Sequence, residues 1–216
     1  IYVAGNNQIG LGHVFNMLEV AKYFASYNIE FILPSSSFLA KEIISKLNYP
    51  VVIKERDELV DYIVSVNGTK RLILDCLDNS SDLLNKLSNS DVRVISFEDR
   101  NINKFKNRLV INAIYEGNSD LDNRFGYKNF ILRDDFFNIN NFFLDKNDYV
   151  LISFGGTDPQ NYTKRVYEAI RKVYDGQIKI IFGMGYDNEL SVDNKTTVYK
   201  NITNMAYHMA RAKFAF

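Results

Sequence analysis

Apolar positions in this chain fall into short runs, separated by stretches in which they recur every three or four residues. The runs at 1–4, 30–33, 50–53, 71–75, 93–97, 109–113 and 129–132, and then at 149–154, 178–182, 197–199 and 213–216, predict strands. The stretches between them predict helices. The clearest sets Val14, Met17, Leu18, Ala21, Phe24 and Ala25 on one face, and similar stripes cover 39–47, 57–66, 80–87, 163–174 and 205–212. Strands alternating with helices predict an α/β fold with parallel sheets and right-handed crossovers. The period fails over 134–148, a stretch rich in Asn, Asp and Phe whose Phe136, Phe137, Phe142 and Phe143 are expected to pack it. Two Rossmann-like domains are therefore expected, at 1–137 and 149–216, joined by a linker at 138–148. The chain starts inside one strand and stops at the start of another, so the C-terminal domain is expected to be truncated.

Composition narrows the functions open to such a fold. With 216 residues, 46% of them hydrophobic, the chain can bury a substantial core. Lys and Arg number 26, as do Asp and Glu, which leaves no electrostatic footprint for nucleic acid or an anionic membrane. Any phosphate binding must come from backbone amides and local dipoles. Cys76 is the single cysteine, so an intramolecular disulfide is impossible, which suits a reducing compartment. No apolar run is long enough to span a bilayer, and a cytoplasmic location is expected.

Two glycine turns stand out. In Val150-Leu151-Ile152-Ser153-Phe154-Gly155-Gly156-Thr157-Asp158, an apolar run without alternation, as in a strand covered on both faces, passes into a turn that opens a helix. Gly155 and Gly156 admit close approach of backbone N–H groups to a ligand. Thr157, Asp158 and Asn161 add polar groups where a helix dipole favours anions. This is the chemistry of a diphosphate cradle. The second turn, Gly10-Leu11-Gly12-His13, also lies between a strand and a helix, so two glycine turns serving one ligand are expected. A dinucleotide fingerprint is excluded: Phe15 stands at the third glycine position, and the second strand ends in Ile32-Leu33-Pro34 with no acidic residue. A P-loop is excluded because no Gly-Lys-Ser/Thr follows.

His13 is the sharpest single signal. At the first turn of a helix its ring is expected to stay neutral at pH 7 and able to accept a proton from water. The competing reading is a histidine that only caps the helix. The other histidine, His208, falls in a late helical stripe and reads as a packing or surface residue. Asp75 and the Glu98-Asp99 pair close strands, and ligand crevices in open parallel sheets lie beyond such ends. These carboxylates would orient His13 or hold sugar hydroxyls, or else cap helices and loop amides, as would Asp78. No cluster of His, Cys and Asp has metal-ligand spacing, so neither metal nor cofactor is expected.

Five segments occur in a suggestive order: Gln8-Ile9-Gly10-Leu11-Gly12-His13, Ile95-Ser96-Phe97-Glu98-Asp99, Val110-Ile111-Asn112-Ala113-Ile114-Tyr115, Leu132-Arg133-Asp134-Asp135-Phe136, and the run from Phe154 to Asn161. Together they resemble the UDP-sugar hydrolases of pseudaminic acid biosynthesis, and still more their relatives in spore-coat polysaccharide and nonulosonate gene clusters. The resemblance implies a two-domain, glycosyltransferase-B-like fold related to the MurG-type transferases. It implies removal of UDP from a diacetamido-trideoxy sugar by attack of water, with His13 as general base. It implies UDP held by Gly155, Gly156, Thr157, Asp158 and Asn161, with Asn204 and Met205 near the uracil. Asn6, Gly10, Gly12, Asp75, Glu98, Asp99, Asn112 and Tyr115 become candidates for the sugar-binding cleft. Two positions depart from that family's habit: Asn16 stands where Arg is common, and Leu77 where Tyr is common.

The leading expectation is thus a metal-independent UDP-sugar hydrolase, with helix N-termini and glycine-turn amides stabilising the departing diphosphate. A glycosyltransferase would use the same donor site with a sugar or lipid acceptor in place of water. A non-catalytic nucleotide-sugar-binding module is the third reading, because function resides in the site and not in the fold.

Overall fold

A computed structural model describes residues 1–6, 8–68, 70–138 and 148–216, and the chain divides into two compact units. The first comprises Ile1–Asn6 and His13–Ile131; the second comprises Asn7–Gly12 and Leu132–Phe216. Apart from its two end positions, the expected linker at 138–148 lies outside the described residues, as do Phe142 and Phe143.

The first unit is built on a seven-stranded parallel sheet. Its strands are β1 (Tyr2–Val3), β2 (Phe31–Leu33), β3 (Val51–Ile53), β4 (Arg71–Asp75), β5 (Arg93–Phe97), β6 (Arg108–Asn112) and β7 (Asn123–Phe125), in the order β3-β2-β1-β4-β5-β6-β7. Helices α1 (Gly12–Tyr23), α2 (Phe38–Lys46), α3 (Leu59–Ser65) and α4 (Ser81–Ser88) connect the first five strands. Alternate β4 residues Leu72 and Leu74, followed by Cys76, pack with Leu59, Val60 and Ile63 of α3 and Leu83, Leu84 and Leu87 of α4. The α4 stripe faces the core because Ser80 starts the helix on register, its Oγ accepting from Leu83 N at 3.2 Å. No helix lies between β5 and β6 or between β6 and β7; polar loops make those connections.

The strand expected at 129–132 does not form. Tyr127–Asn129 is a single 3-10 turn, and the seventh strand is Asn123–Phe125. Gly126 is the reason, with φ 88 and ψ 170, a region that essentially only glycine occupies. Its N–H donates to Asn112 O at 3.0 Å and Tyr115 O at 3.1 Å. The Asn129 side chain then donates to Phe125 O and Gly126 O, which closes the turn instead of extending a strand.

The second unit carries a four-stranded parallel sheet, β10-β9-β8-β11. Its elements are α5 (Asp134–Phe137), β8 (Tyr149–Ile152), α6 (Tyr162–Arg171), β9 (Gln177–Phe182), β10 (Thr196–Lys200), α7 (Met205–Arg211) and β11 (Phe214–Ala215). Val150, Ile152, Ile178 and Ile180 pack against Tyr167 of α6, while Tyr149, Leu151 and Ile181 pack on the opposite face with Ala212 and Met205. The sixth helix is shorter than its apolar stripe predicts. Arg171 turns back, donating to Tyr174 O and Gly176 O at 2.9 Å each, and closes the helix there. Among the described residues no helix is long and apolar enough to cross a membrane.

Both sheets reverse direction of winding at one strand. In the first unit β1 lies between β2 and β4, with Val3 in register with Asp75. In the second, β8 lies between β9 and β11. Such switch points leave a crevice at the carboxyl ends of the strands. His13 follows β1 and the Gly155 turn follows β8, so each switch point carries one of the singled-out motifs.

Gly126→Ala tests the turn that ends β7. An added Cβ would meet no atom within 4 Å, so any loss is backbone strain. A loss of about 1–3 kcal/mol is expected in urea denaturation.

Candidate active site

His13 lies in the first turn of α1, and its Nδ1 is 2.8 Å from Asp75 Oδ1 at the end of β4. The pair bridges the β1–β4 switch point of the first sheet. Asp75 is only 3% exposed, whereas the His13 side chain keeps 28% of its surface open. An ionised carboxylate only accepts hydrogen bonds, so Nδ1 carries the proton and donates, leaving Nε2 as the free lone pair. Asp75 Oδ2 is buried with no hydrogen-bond partner. A buried polar atom left this way is costly.

The positive end of α1 is not the only influence on the His13 ring: its pKa is raised, first by the hydrogen bond to Asp75, against which burial works, with the Asp75 and Glu98 charges adding to the rise. A carboxylate in direct contact outweighs a partial helix charge. Burial also raises the Asp75 carboxyl, and the bond from His13 pulls it partly back. Both groups hold a proton more tightly than they would in water.

The neighbouring strand ends play other parts. Glu98 accepts from Ala113 N at 2.9 Å and Ile114 N at 3.4 Å, securing the loop after β6. Asp99 and Asn112, both in the expected cleft set, lie buried beneath the strand ends. Asp99 is wholly buried and paired with Arg108, and Asn112 donates from Nδ2 to Asp99 O at 2.9 Å. Both Asp99 oxygens are taken up within the framework, whereas Asn112 Oδ1, like Asp75 Oδ2, is buried without a hydrogen-bond partner. Asp78 pairs at the surface with Arg100. Asn6 Nδ2 is 3.5 Å from Ser36 O, and Tyr115 O accepts from Gly126 N, so both fasten loops at the carboxyl end of the sheet. Gly12 opens α1 with free space where a Cβ would be, whereas Gly10 needs its glycine, with φ +83.

In the second unit Gly155 adopts φ +74 directly after β8. Asn7–Gly12 groups with this unit, and a Cβ on Gly156 would lie 3.7 Å from Leu11 N. The Asp158 carboxylate accepts from Tyr162 N and Thr163 N at 2.8 Å each, so it already occupies the positive end of α6. A diphosphate would have to use the turn amides before it. Thr157 is buried beside that turn. Asn161, left-handed at φ +52, accepts from Tyr186 OH at 2.8 Å, and Tyr186 stacks on Phe182 with ring centroids 3.9 Å apart. Asn204 sits exposed at the start of α7, and Met205 packs into the Tyr149–Leu151 cluster. His208 is buried in α7, with Tyr199 tilted against its ring at 5.2 Å.

Gly183 is the residue that sequence reasoning overlooked. A Cβ there would stand 2.4 Å from Gly156 Cα and 2.5 Å from Gly155 O, and Gly185 N donates to Gly156 O at 2.9 Å. The loop after β9 therefore backs the Gly155 turn. Its signal was present: Phe182-Gly183-Met184-Gly185 follows an apolar strand, as Phe154-Gly155-Gly156 does.

Two cavities of about 950 and 970 Å³ open beside Arg71 and Arg93, at the end of β4 and β5 opposite Asp75. Among the described residues no group of three or more His, Cys, Asp and Glu side chains could hold a metal ion.

No protein-family profile matches the chain. It is similar to an uncharacterized protein of Methanocaldococcus jannaschii, 30% identical over 242 aligned positions that cover 95% of this chain and 48% of the relative. The chain thus spans about half the length of that protein.

Two outcomes are expected. In an NMR titration Asp75→Asn lowers the His13 pKa. The raised pKa also makes the pair's contribution to stability complete below the ordinary histidine value of 6.5, and lost as pH climbs through the raised one. Urea denaturation across that window should therefore show a smaller pH-dependent loss in Asp75→Asn than in wild type. Separately, Gly183→Ala forces backbone against backbone, and a loss of about 1–3 kcal/mol in urea denaturation is expected.

Proposed function

We propose that this chain is the catalytic part of a nucleotide-sugar hydrolase that releases UDP from a UDP-linked sugar in surface polysaccharide or nonulosonate biosynthesis. The observation that carries this reading is the His13–Asp75 hydrogen bond of 2.8 Å at the switch point of a parallel sheet. It fixes the tautomer and leaves Nε2 to act as a base. Water attacks the anomeric carbon, its proton passes to His13 Nε2, and the carbon–oxygen bond to UDP breaks with its electron pair on the diphosphate. Asp75 orients the ring and steadies the imidazolium as it forms. A diphosphate is a good leaving group, so amide donors aimed at it matter more than a general acid. The Gly155-Gly156-Thr157 turn supplies those amides in this reading, with Asn204 and Met205 beside the uracil. The resemblance to the hydrolases of pseudaminic acid biosynthesis supports the same assignment, and a nucleotide-sugar substrate suits the cytoplasm.

One observation favours a second reading, a glycosyltransferase on the same donor site. Phe15, Leu77 and Ile114 are 43%, 43% and 56% exposed. Leu77 lies in the loop that leaves β4 after Asp75, and the Ile114 amide is held by Glu98, whereas Phe15, two positions after His13 in α1, is turned about 200° around the helix from it. Exposed Leu77 and Ile114 at the carboxyl ends of the strands would suit an acceptor with a lipid portion better than water.

The discriminating experiment follows nucleotide release from a panel of UDP- and CMP-linked amino sugars by phosphorus NMR. His13→Ala is expected to lower kcat by about two to four orders of magnitude. Undiminished release in the mutant would remove His13 from the chemistry. Saturable binding without release would move the reading to a transferase awaiting its acceptor, or to a binding module.

A further inference from the structure

Glu98 is held in an unusual conformation. Its backbone is left-handed at φ 51, which a glutamate does not adopt without compensation from its surroundings. Its N–H donates to Ile111 O at 2.9 Å, and its carboxylate takes the Ala113 and Ile114 amides. The next residue anchors it. Asp99 Oδ1 accepts from Asn79 N at 3.2 Å and Asn101 N at 2.9 Å, and Oδ2 accepts from Asn79 Nδ2 at 2.6 Å and from Arg108. The Arg108 guanidinium donates further to Ser96 Oγ at 3.2 Å and to Asn103 O at 2.8 Å. Both charged side chains are 0% exposed.

A buried ion pair is a poor way to hold two strands together, because apolar residues of the same volume would serve at least as well. What it does supply is direction. Its forked geometry ties the residue after Glu98 to the first residue of β6 and to Ser96 within β5, which leaves Glu98 no other turn to make.

We propose that Arg108 is a positioning residue of the His13 site: by locking Asp99 it fixes the left-handed turn at Glu98 and holds that carboxylate as a second negative charge beside the His13–Asp75 pair. The register brings the Glu98 backbone to the end of the strand beside β4, since Asp75 pairs with Phe97, the residue before Glu98. Glu98 acts on His13 in the same direction as Asp75. The inference rests on His13 being the reacting base.

The chain has two histidines, so the His13 ring can be followed by NMR through a pH titration without any substrate. Glu98→Gln keeps an acceptor for one amide and removes the charge; a downward shift of the His13 pKa is expected. Arg108→Lys keeps the charge and loses the fork; a shift in the same direction is expected. Ser96→Ala removes one of the guanidinium's acceptors and carries the same expectation should Arg108→Lys fail to fold. A wild-type titration in Glu98→Gln, or in a folded Arg108→Lys or Ser96→Ala protein, would overturn the proposal. Absence of UDP release would count against the hydrolase reading and leave the titration result standing.

Discussion

A carboxylate buried at the centre of a parallel sheet must find a partner, and most of the site follows from how Asp75 does so. It ends the strand next to β1, at the place where the winding of the sheet reverses. Burial makes its ionised form expensive, and only one of its oxygens is satisfied. His13 is the satisfying group, and it can be there only because the chain leaves β1 through a glycine turn and enters α1 one residue before it. The imidazole answers the carboxylate, and the carboxylate makes the imidazole more basic. Neither property belongs to one residue alone, and both need the strand order that brings β1 and β4 side by side.

Four acidic residues with similar surroundings in the sequence meet that same cost in different ways. Asp75 takes one histidine and leaves an oxygen unmatched. Asp99 gathers amides and a guanidinium until both oxygens are occupied. Glu98 spends its oxygens on two loop amides yet stays partly exposed. Asp158 neutralises the start of α6. Degree of satisfaction sets them apart: the incompletely paired Asp75 is the one that touches a histidine.

The order of elements was legible because apolar spacing is a local property, readable wherever a strand or helix buries a face. It failed where three-residue geometry decides. Asn123–Phe125 has no apolar run to announce it, and the φ of Gly126 turns the more strand-like 129–132 into a hydrogen-bonded bend. The site was legible to the same depth. His13 and the two glycine turns are marked by residue type and position alone. That Asp75 and not Asp99 meets the histidine is a fact of strand order, and that Asp158 faces its own helix is a fact of a positive φ at that residue. Arg108 reads in sequence as a charged residue opening an apolar strand, and nothing local tells that it is buried.

On the proposed reading, the chemistry asks for one base and no acid. UDP departs as a stable anion, so the barrier is set by the nucleophile and by how well the glycine-turn amides meet the diphosphate. Two negative charges beside His13 serve that need, because they stabilise the imidazolium that forms as water or an acceptor hydroxyl is deprotonated. The same base would serve either nucleophile. The choice between them therefore falls to what surrounds the base, where Leu77 and Ile114 are exposed at the carboxyl ends of the strands. A hydrolase has no use for apolar surface beside its water, except to grip apolar parts of the sugar. A transferase has use for it in seating an acceptor. On this reading, selectivity between water and an acceptor rests on side chains around the base that take no part in proton transfer.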